Sequence, residues 1–506
     1  MTPRPYFPAI LAAFLMIASS LSVPASADPE AQPWVRVALA TGARNVVVAA
    51  TGSSRISVQL SSELLGTFDS PHTYTFEYSN GSVKWVESGQ TQAGGFSMVC
   101  TTESGRLRYS GREYRRAIRV VACEGGVACV NVLPLEEYLW GVIPCEVPAG
   151  WPMEALKAQA VAARTYALRA LEQYPDRPFD LYSTVLDQLY MGSGYETDRC
   201  TRACRETWGE VCTYAGAPII AYYHACAGGW TASGSEMFGR DLPYLRAVPS
   251  RDAAVYRWVY RIAATDLQTS LRRAGYTLGS IQRVWVHRFS AEGRAAEIKI
   301  VHGDGVLLVG GSDLRRILGP SNIESTYFTV EGQEAPAIPA GAVTEQRYAP
   351  LRSVQPVERY SLLHPQVLVP LAVAAEMRGC AVITGEGTSR ADGFLVIGSG
   401  GTREYADRII WIAMPVRAGE IVEVAQCSSF TEPAFDFESP DVGIEVVEPA
   451  GGIGRPTGGM ITFVGHGCGH GVGMSQHGAR ILAENGWDYA QILRYFYSGI
   501  ELERYW

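Results

Sequence analysis

The segment from Gly141 to Trp151 presents a single carboxylate, Glu146, between two prolines. Pro144 and Pro148 lack a backbone N–H and restrict the residues that precede them, so the turn that carries Glu146 is predicted to be stiff. A rigidly held carboxyl group at a cleft suits general acid and general base chemistry. The sequence therefore marks Glu146 as the candidate catalytic residue.

A helix is predicted directly after this turn, over Pro152 to Gln173. Pro152 suits the first helical position, Glu154 suits the positive end of the helix dipole, and the following residues are rich in strong helix formers. One face carries mostly small side chains that allow close packing: Ala155, Leu156, Gln159, Ala160, Ala163 and Ala167. In the simpler alternative, Glu146 only caps this helix.

A second segment, from Gly467 to Gly478, has the backbone freedom to approach a ligand closely. Its glycines alternate with other residues in the order Gly467, Cys468, Gly469, His470, Gly471, Val472, Gly473 and Met474, and Ser475 and Gln476 follow. The alternative is a tight internal turn in which His470 is satisfied by backbone groups.

Length and composition set the broad class of the protein. With 506 residues, two or three folded units are expected, and 19% charged with 47% hydrophobic residues is typical of a globular chain. The formal charge of −8 and the absence of a Lys/Arg run argue against nucleic acid as a partner.

The first 27 residues are predicted to be a cleaved secretory signal. Arg4 precedes an apolar run from Ala9 to Ala18, and Pro24 to Ala27 offers small residues for cleavage. The run is shorter than the roughly 20 apolar residues that a membrane span requires. We therefore expect a mature protein that is secreted, periplasmic or associated with the cell wall, without a membrane span.

All eleven cysteines follow the predicted cleavage site, where disulfides can persist. An odd number leaves at least one of them unpaired or bound to another group. One disulfide is expected within the cluster of Cys100, Cys123 and Cys129, and another within the cluster of Cys200, Cys204 and Cys212. The connectivity stays open.

The expected fold class is α+β. A strand-rich N-terminal part extends to about residue 130, and a helical catalytic segment and a mixed α/β second part continue to residue 332. Pro/Gly-rich linkers enclose residues 333–457, which are predicted to form an inserted β-rich domain. Residues 458–506 are expected to complete the catalytic domain.

Several separated motifs resemble the SpoIID/LytB family, whose SpoIID (stage II sporulation protein D) type is a peptidoglycan lytic transglycosylase. The resemblance covers about residues 36–332 and 458–502. It rests on seven segments in the family's order: Asn131 to Pro148, Glu154 to Tyr166, Asp187 to Gly192, Tyr222 to Thr231, Leu242 to Ser250, Gly467 to Ala479 and Tyr489 to Gly499.

This resemblance implies an enzyme that cleaves the bond between N-acetylmuramic acid and N-acetylglucosamine in glycan strands, with Glu146 as the single acid and base. Ordinary glycosidases need two carboxylates. Here the muramic acid's own C6 hydroxyl attacks and leaves a 1,6-anhydro ring, so one glutamate suffices. Such a group needs a raised pKa, which the apolar neighbours Val142, Ile143, Val147 and Trp151 favour.

The resemblance also implies a substrate groove, for which six residues are candidates: Lys157, Gln188, Tyr190, His470, Ser475 and Gln476. We expect His470 to be the polar group nearest Glu146. Structural roles are favoured for Glu136 and Glu154, because both occupy helix starts.

The resemblance also raises the question of a metal site. Some relatives carry a zinc site, but this chain has other residues at most of its ligand positions and keeps Cys226. A substitute set of cysteines with His224 matches no standard zinc spacing. We therefore expect no cofactor, with zinc as the alternative.

The rival function is a non-catalytic wall-binding protein that activates an N-acetylmuramoyl-L-alanine amidase, as LytB-type relatives are described. The shared motifs do not separate this protein from an enzyme. The expected partners are peptidoglycan glycan strands and, in the rival case, other cell-wall hydrolases.

Overall fold

A computed structural model describes residues 32–58, 63–102, 105–173, 177–334 and 454–506, together with three short strands between residues 381 and 445. Helices and strands both contribute extensively to these residues, so the fold is α+β as expected. The predicted signal peptide, most of the predicted inserted domain, and Cys380 and Cys427 lie outside the described residues.

The N-terminal part consists of two antiparallel sheets that share one hydrophobic core. The strands are β1 (Trp34–Ala43), β2 (Asn45–Ala50), β3 (Ser54–Val58), β4 (Leu64–Phe68), β5 (His72–Ser79), β6 (Ser82–Glu87), β7 (Gln90–Gly95), β8 (Ser97–Thr102), β9 (Leu107–Tyr109), β10 (Arg112–Tyr114), β11 (Ala117–Cys123), β12 (Gly126–Pro134) and β13 (Leu181–Tyr182). The strand orders of the two sheets are β13-β1-β12-β11-β8-β3-β4 and β10-β9-β2-β5-β6-β7, and β13 pairs in parallel with β1.

Alternating side chains explain these strands. In β2, Val46 and Val48 are buried, whereas Val47 between them is 50% exposed. Side chains on a strand point to opposite faces in turn, so this pattern places one face of the sheet on the core.

Glu146 lies in a helix, where the sequence predicted a stiff turn. Helix α1 (Leu135–Glu146) begins directly after β12 and continues through Pro144, so Glu146 is its last residue and does not lie on a turn. A proline removes the hydrogen bond that its own nitrogen would donate, and its ring crowds the carbonyl four residues earlier, but it leaves the donors that follow it intact. The N–H of Val147 still bonds to the carbonyl of Ile143 at 3.0 Å, which keeps the last turn helical.

Helix α2 (Met153–Gln173) lies within the predicted range and packs between two cores. Leu156 and Ala160 belong to the core beneath the N-terminal sheets, whereas Ala158 and Val161 belong to a second core with the C-terminal helices. The many alanines of α2 allow neighbouring elements to approach on both sides, as small side chains do.

The remaining helices are short. They are α3 (Asp198–Glu206), α4 (Gly234–Phe238), α5 (Ala264–Arg273), α6 (Gly311–Leu318), α7 (Gln476–Glu484) and α8 (Tyr489–Phe496), with a 3-10 turn at Ser193–Tyr195. In the described ranges, no helix combines the length and the apolar content that crossing a bilayer requires.

The later strands pair the C-terminal segment with earlier parts of the chain. They are β14 (Glu210–Tyr214), β15 (Ala217–Pro218), β16 (Tyr223–His224), β17 (Arg257–Ala263), β18 (Ile281–Phe289), β19 (Ala295–His302), β20 (Gly305–Gly310), β21 (Phe328–Val330), β22 (Ala381–Thr384), β23 (Gly387–Arg390), β24 (Ile444–Glu445), β25 (Met460–His466), β26 (Met474–Ser475) and β27 (Glu501–Arg504). Strand β25 pairs with β17 and β21, β26 with β16, and β27 with β14.

Both ends of the predicted insertion lie against one strand. Gln333 exchanges two hydrogen bonds with the backbone of Val286, and the carbonyl of Gly454 accepts the N–H of Val284 at 2.8 Å. The chain therefore leaves and returns at neighbouring points of β18, while the inserted domain itself stays a prediction.

Candidate active site

Glu146 is half-buried at the end of α1 and receives donors from three separate segments. Its Oε1 accepts the backbone N–H of Leu189 at 2.8 Å, and its Oε2 accepts Nε2 of Gln476 at 3.4 Å. The hydroxyl of Tyr223 also hydrogen-bonds the carboxyl group. None of these donors belongs to α2, so Glu146 does not cap that helix.

The pKa of Glu146 is raised from 4.5 to about 7. Burial is the main cause, because it disfavours the charged form, and the donors from Leu189, Gln476 and Tyr223 reduce the rise. The position at the carbonyl end of α1 also disfavours a negative charge. At neutral pH the protonated and ionised forms of Glu146 therefore have similar populations.

A chain of hydrogen bonds fixes the direction in which Tyr223 donates. Tyr138 donates its hydroxyl to Oε1 of Gln188 at 3.1 Å. The Gln188 Nε2 donates to the carbonyl of Ala163 at 3.1 Å and to the hydroxyl of Tyr223 at 3.2 Å. The oxygen of Tyr223 is thus an acceptor toward Gln188, which leaves its own proton for Glu146.

The glycine-rich segment brings Gln476 to the carboxyl group. Strand β26 pairs in parallel with β16, and Ser475 caps α7 by accepting the N–H of Gly478 at 3.1 Å. Gly473 has a φ of +73°, and a Cβ there would lie 2.1 Å from the carbonyl oxygen of Tyr222. Glycine is required at this position, where two backbone segments meet directly.

A buried ion pair holds α1 against α2. Arg164 donates to both carboxylate oxygens of Glu136 at 2.8 Å, and both side chains are 0% exposed. The N–H of Gly209 and the indole of Trp506 also donate to Glu136. Glu136 therefore has a structural position, remote from the donors of Glu146.

Part of the chain that carries this site matches a known protein family. Residues 123–214, which include α1, α2 and Glu146, match the family described as SpoIID, stage II sporulation protein. Together with the relatives described below, this match supports a member of the SpoIID/LytB family.

Parts of the chain are similar in sequence to several known proteins. It is 33% identical over 239 residues to an uncharacterized protein of Brachyspira hyodysenteriae, covering 46% of this chain and 63% of that protein. It is 29% identical over 208 residues to the stage II sporulation protein D of Bacillus subtilis, covering 38% of this chain and 59% of the relative.

An amidase enhancer of Bacillus subtilis is 36% identical over 132 residues, which is 26% of this chain and 18% of that protein. The chain thus spans less than two thirds of the length of each of these relatives.

Two of the six residues that the SpoIID/LytB resemblance suggested lie in the hydrogen-bond network of Glu146. Gln476 contacts the carboxyl group directly, and Gln188 reaches it through Tyr223. The other four lie elsewhere.

His470 does not take the position next to Glu146 that we expected, since Gln476 occupies it. The ring of His470 lies 5.5 Å from that of His224, its Nδ1 accepts the N–H of Val472 at 3.0 Å, and it also bonds the backbone of Tyr223. Burial lowers the pKa of His470 to about 3, so the ring is neutral.

Tyr190 and Ser475 are buried by structural contacts. Tyr190 donates its hydroxyl to Asn131 at 2.8 Å and packs on Tyr138, and its side chain is only 2% exposed. Ser475 is 0% exposed and donates to Asp252 at 2.6 Å. Neither hydroxyl is free to contact a sugar.

Lys157 belongs to a cluster of charges at the surface of α2. Its ammonium lies 3.0 Å from Glu154 and 2.8 Å from Glu206. Glu154 also accepts the N–H of Tyr489 at 3.0 Å, which agrees with the structural role favoured for it.

Sequence reasoning missed three contributors to the site: Tyr223, the backbone of Leu189, and Gln159, whose Oε1 lies 3.5 Å from the amide of Gln476. Tyr223 falls within a recognised family motif, but its neighbour Tyr222 is identical in type. Tyr223 is the first residue of β16 and Tyr222 precedes the strand, so only the position of β16 shows which tyrosine meets Glu146.

The expected disulfides do not form. All nine cysteines in the described ranges are free. Cys100 lies opposite Ile118 and Cys129 lies opposite Val120, so strand β11 separates the two. Among the residues that the structure describes, no three His, Cys, Asp or Glu side chains converge on a point where a metal ion would bind.

Proposed function

We propose that this protein is a peptidoglycan lytic transglycosylase that cleaves the bond between N-acetylmuramic acid and N-acetylglucosamine. The observation that carries the proposal is a half-buried glutamate that accepts hydrogen bonds from Leu189 and Gln476 and whose pKa burial raises to about 7. It lies within the residues that match the SpoIID family, and the resemblance implies that it is the acid and base. Its site of action is then the cell wall, outside the cytoplasm.

The two oxygens of Glu146 have different roles. Oε1 is committed to the short bond from the Leu189 N–H, whereas the bond from Gln476 to Oε2 is long. A proton on the carboxyl group therefore resides on Oε2. This oxygen is the one that protonates the leaving group.

The reaction needs no water and no second carboxylate. Oε2 of Glu146 gives its proton to the glycosidic oxygen, the bond from that oxygen to C1 of the muramic acid breaks, and N-acetylglucosamine leaves with a free hydroxyl. The C6 hydroxyl of the same muramic acid attacks C1 and returns its proton to Oε2. The products are a 1,6-anhydro end and a new glycan end, and Glu146 regains its starting form.

Tyr223 and Gln476 stabilise the intermediate state of this cycle. Once Oε2 has lost its proton, the carboxylate is a half-buried charge, and hydrogen bonds to a charged acceptor are the strong ones. Both donors tighten at that moment, which supplies the stabilisation where the transition state needs it.

The second candidate is activation of a separate amidase. The 36% identity to a protein named amidase enhancer favours it, although the matching part is 18% of that relative. This function requires binding to wall material or to the amidase, and it does not require a proton on Glu146.

Purified protein incubated with isolated glycan strands separates the two functions. A transglycosylase produces strands with anhydromuramic ends, which mass spectrometry detects as a loss of one water relative to hydrolysis products. Glu146→Gln abolishes this product, and Glu124→Gln, an exposed glutamate in the turn after β11, leaves it unchanged. Stimulation of an amidase by wild type and Glu146→Gln alike, without anhydro products, supports the rival function.

A further inference from the structure

Gln159 is a buried polar residue on an otherwise small and apolar face of α2. Its side chain is 1% exposed, and its neighbours one turn away on this face are alanine or leucine. A buried amide costs free energy unless its hydrogen bonds are made. An alanine or leucine would pack here without that cost, so the glutamine needs a reason other than packing.

The contacts of Gln159 lead to the candidate catalytic residue. Its Oε1 lies 3.5 Å from Nε2 of Gln476, and the same nitrogen lies 3.4 Å from Oε2 of Glu146. An amide nitrogen carries two hydrogens. Gln476 thus directs one toward Glu146 and the other toward Gln159.

The amide of Gln159 has unused capacity on its other side. Its Nε2 is buried and has no hydrogen-bond partner in the described part of the chain. Both bonds of Gln476 are long, and catalytic hydrogen bonds are often long before substrate binds. The pair of amides has room to tighten around the carboxylate.

We propose that Gln159 is a positioning residue that holds the amide of Gln476 against Oε2 of Glu146. This proposal rests on the proposed function only where it concerns the effect of Gln159 on catalysis. Without the carbonyl of Gln159, the Gln476 amide is free to rotate, and the donation to Oε2 is lost part of the time. Gln159 does not itself touch the sugar.

The pKa of Glu146 reports the contact between Gln476 and Glu146, because the groups that face Glu146 titrate at other pH values. The titratable groups that face it are Tyr223 on β16, and Tyr138 and Cys145 on α1, and burial raises the pKa of each. Burial also lowers the pKa of His477, next to Gln476 on α7, to about 4. Among the groups named here, only Glu146 changes charge near pH 7. Burial also raises the pKa of Glu236 to about 7, so the Glu146 resonance is assigned by its absence from the spectrum of Glu146→Gln.

The variants are Gln159→Met, Gln476→Met and the double variant, since methionine keeps the length of the side chain and removes the amide. Loss of a donor to the carboxylate raises the pKa of Glu146 above about 7. We expect each single variant to raise it, and the double variant to equal Gln476→Met. Such non-additivity is the signature of residues that act through one another.

Two measurements follow these variants. Carboxyl carbon NMR titrates Glu146 in the free protein, and glycan-strand kinetics give kcat and KM. We expect Gln159→Met to lower kcat about tenfold with KM within about twofold, the pattern of an interaction made in the transition state. Gln173→Leu, an exposed glutamine at the end of the same helix, is the control and changes neither quantity.

Additive shifts in the double variant, or an unchanged pKa of Glu146 in Gln159→Met, overturn the proposal. Gln159→Leu replaces the methionine variant in every measurement if the latter does not fold. If wild-type protein makes no anhydro product, the proposed function fails, but the NMR titration still decides the role of Gln159.

Discussion

Nε2 of Gln476 lies 3.4 Å from Oε2 of Glu146, although 330 residues separate them along the chain. The contact exists because β26 pairs with β16 and delivers the first residue of α7 to the end of α1. The proposed acid and the amide that donates to it thus belong to segments before and after the predicted insertion. Their relative position depends on how the C-terminal segment docks.

The first prediction concerns the pH dependence of activity. In the proposed reaction Glu146 starts protonated, and its pKa is about 7, so kcat/KM should be constant at lower pH and fall about tenfold per unit above about pH 7. A pH–rate profile on glycan strands measures this. A profile that rises through this range contradicts the role of Glu146 as the acid.

The second prediction removes the Tyr223 hydroxyl. Tyr223→Phe takes a donor from Glu146 and leaves Nε2 of Gln188 with one acceptor fewer. We expect a higher pKa of Glu146 and a loss of kcat of about 10- to 100-fold. The matched control is Tyr195→Phe, because that ring is 48% exposed. Equal rates for wild type and Tyr223→Phe would show that the hydroxyl is dispensable.

The third prediction links the site to stability. The pKa of Glu146 is about 7 in the folded protein and about 4.5 when unfolded, so the folded state binds more protons between these values. The free energy of unfolding of the protein therefore falls as pH rises from about 4.5 to 7. Glu146→Gln does not titrate and avoids this loss.

We expect Glu146→Gln to be more stable than wild type at pH 8 by about 2 kcal/mol. A full 1.4 kcal/mol for each unit of the pKa shift would give a larger difference, but the side chain is partly exposed and solvent screens its charge. The difference should vanish near pH 4. Urea unfolding at the two pH values measures it, with Glu124→Gln as the control. A variant that is less stable than wild type at pH 8 contradicts the raised pKa.

Local features of the fold were predictable from the sequence, and contacts between distant segments were not. The run of helix formers after Pro152 predicted α2, and Glu146 stood out by its surroundings alone. Pro144 predicted a turn, yet the helix continues because the interrupted bond lies in its last turn, where little is lost.

The partners of Glu146 depend on packing between segments. The resemblance suggested His470, Ser475 and Gln476 for the groove, and we expected His470 beside Glu146, but its ring lies against that of His224. Gln476 follows six residues later, and the strand pairing decides which of the two meets the carboxyl group. Spacing along one segment holds no information on that register.

The fourth prediction concerns the ion pair between Glu136 and Arg164. Both side chains are fully buried, so replacing one leaves an unpaired charge in the interior. Arg164→Met should lower the free energy of unfolding by about 3–5 kcal/mol, and adding Glu136→Gln should recover part of the loss. Chemical denaturation of the single and double variants measures both values. An Arg164→Met protein as stable as wild type would contradict the burial of this pair.

The fifth prediction compares two glycines with similar backbone angles. Gly473 has a φ of +73°, and a Cβ added there would lie 2.1 Å from the Tyr222 carbonyl oxygen, whereas Gly486 has a φ of +86° and open space around it. Gly486→Ala should cost about 1 kcal/mol of stability, from the backbone conformation alone.

Gly473→Ala should cost more than about 3 kcal/mol, because the two backbone segments must also move apart. That movement carries β26 away from β16 and draws Gln476 from Glu146, so the pKa of Glu146 should rise in Gly473→Ala and stay unchanged in Gly486→Ala. Thermal unfolding and the NMR titration measure the two effects. Similar losses of stability in both variants would mean that the close approach of the segments does not position the carboxyl group.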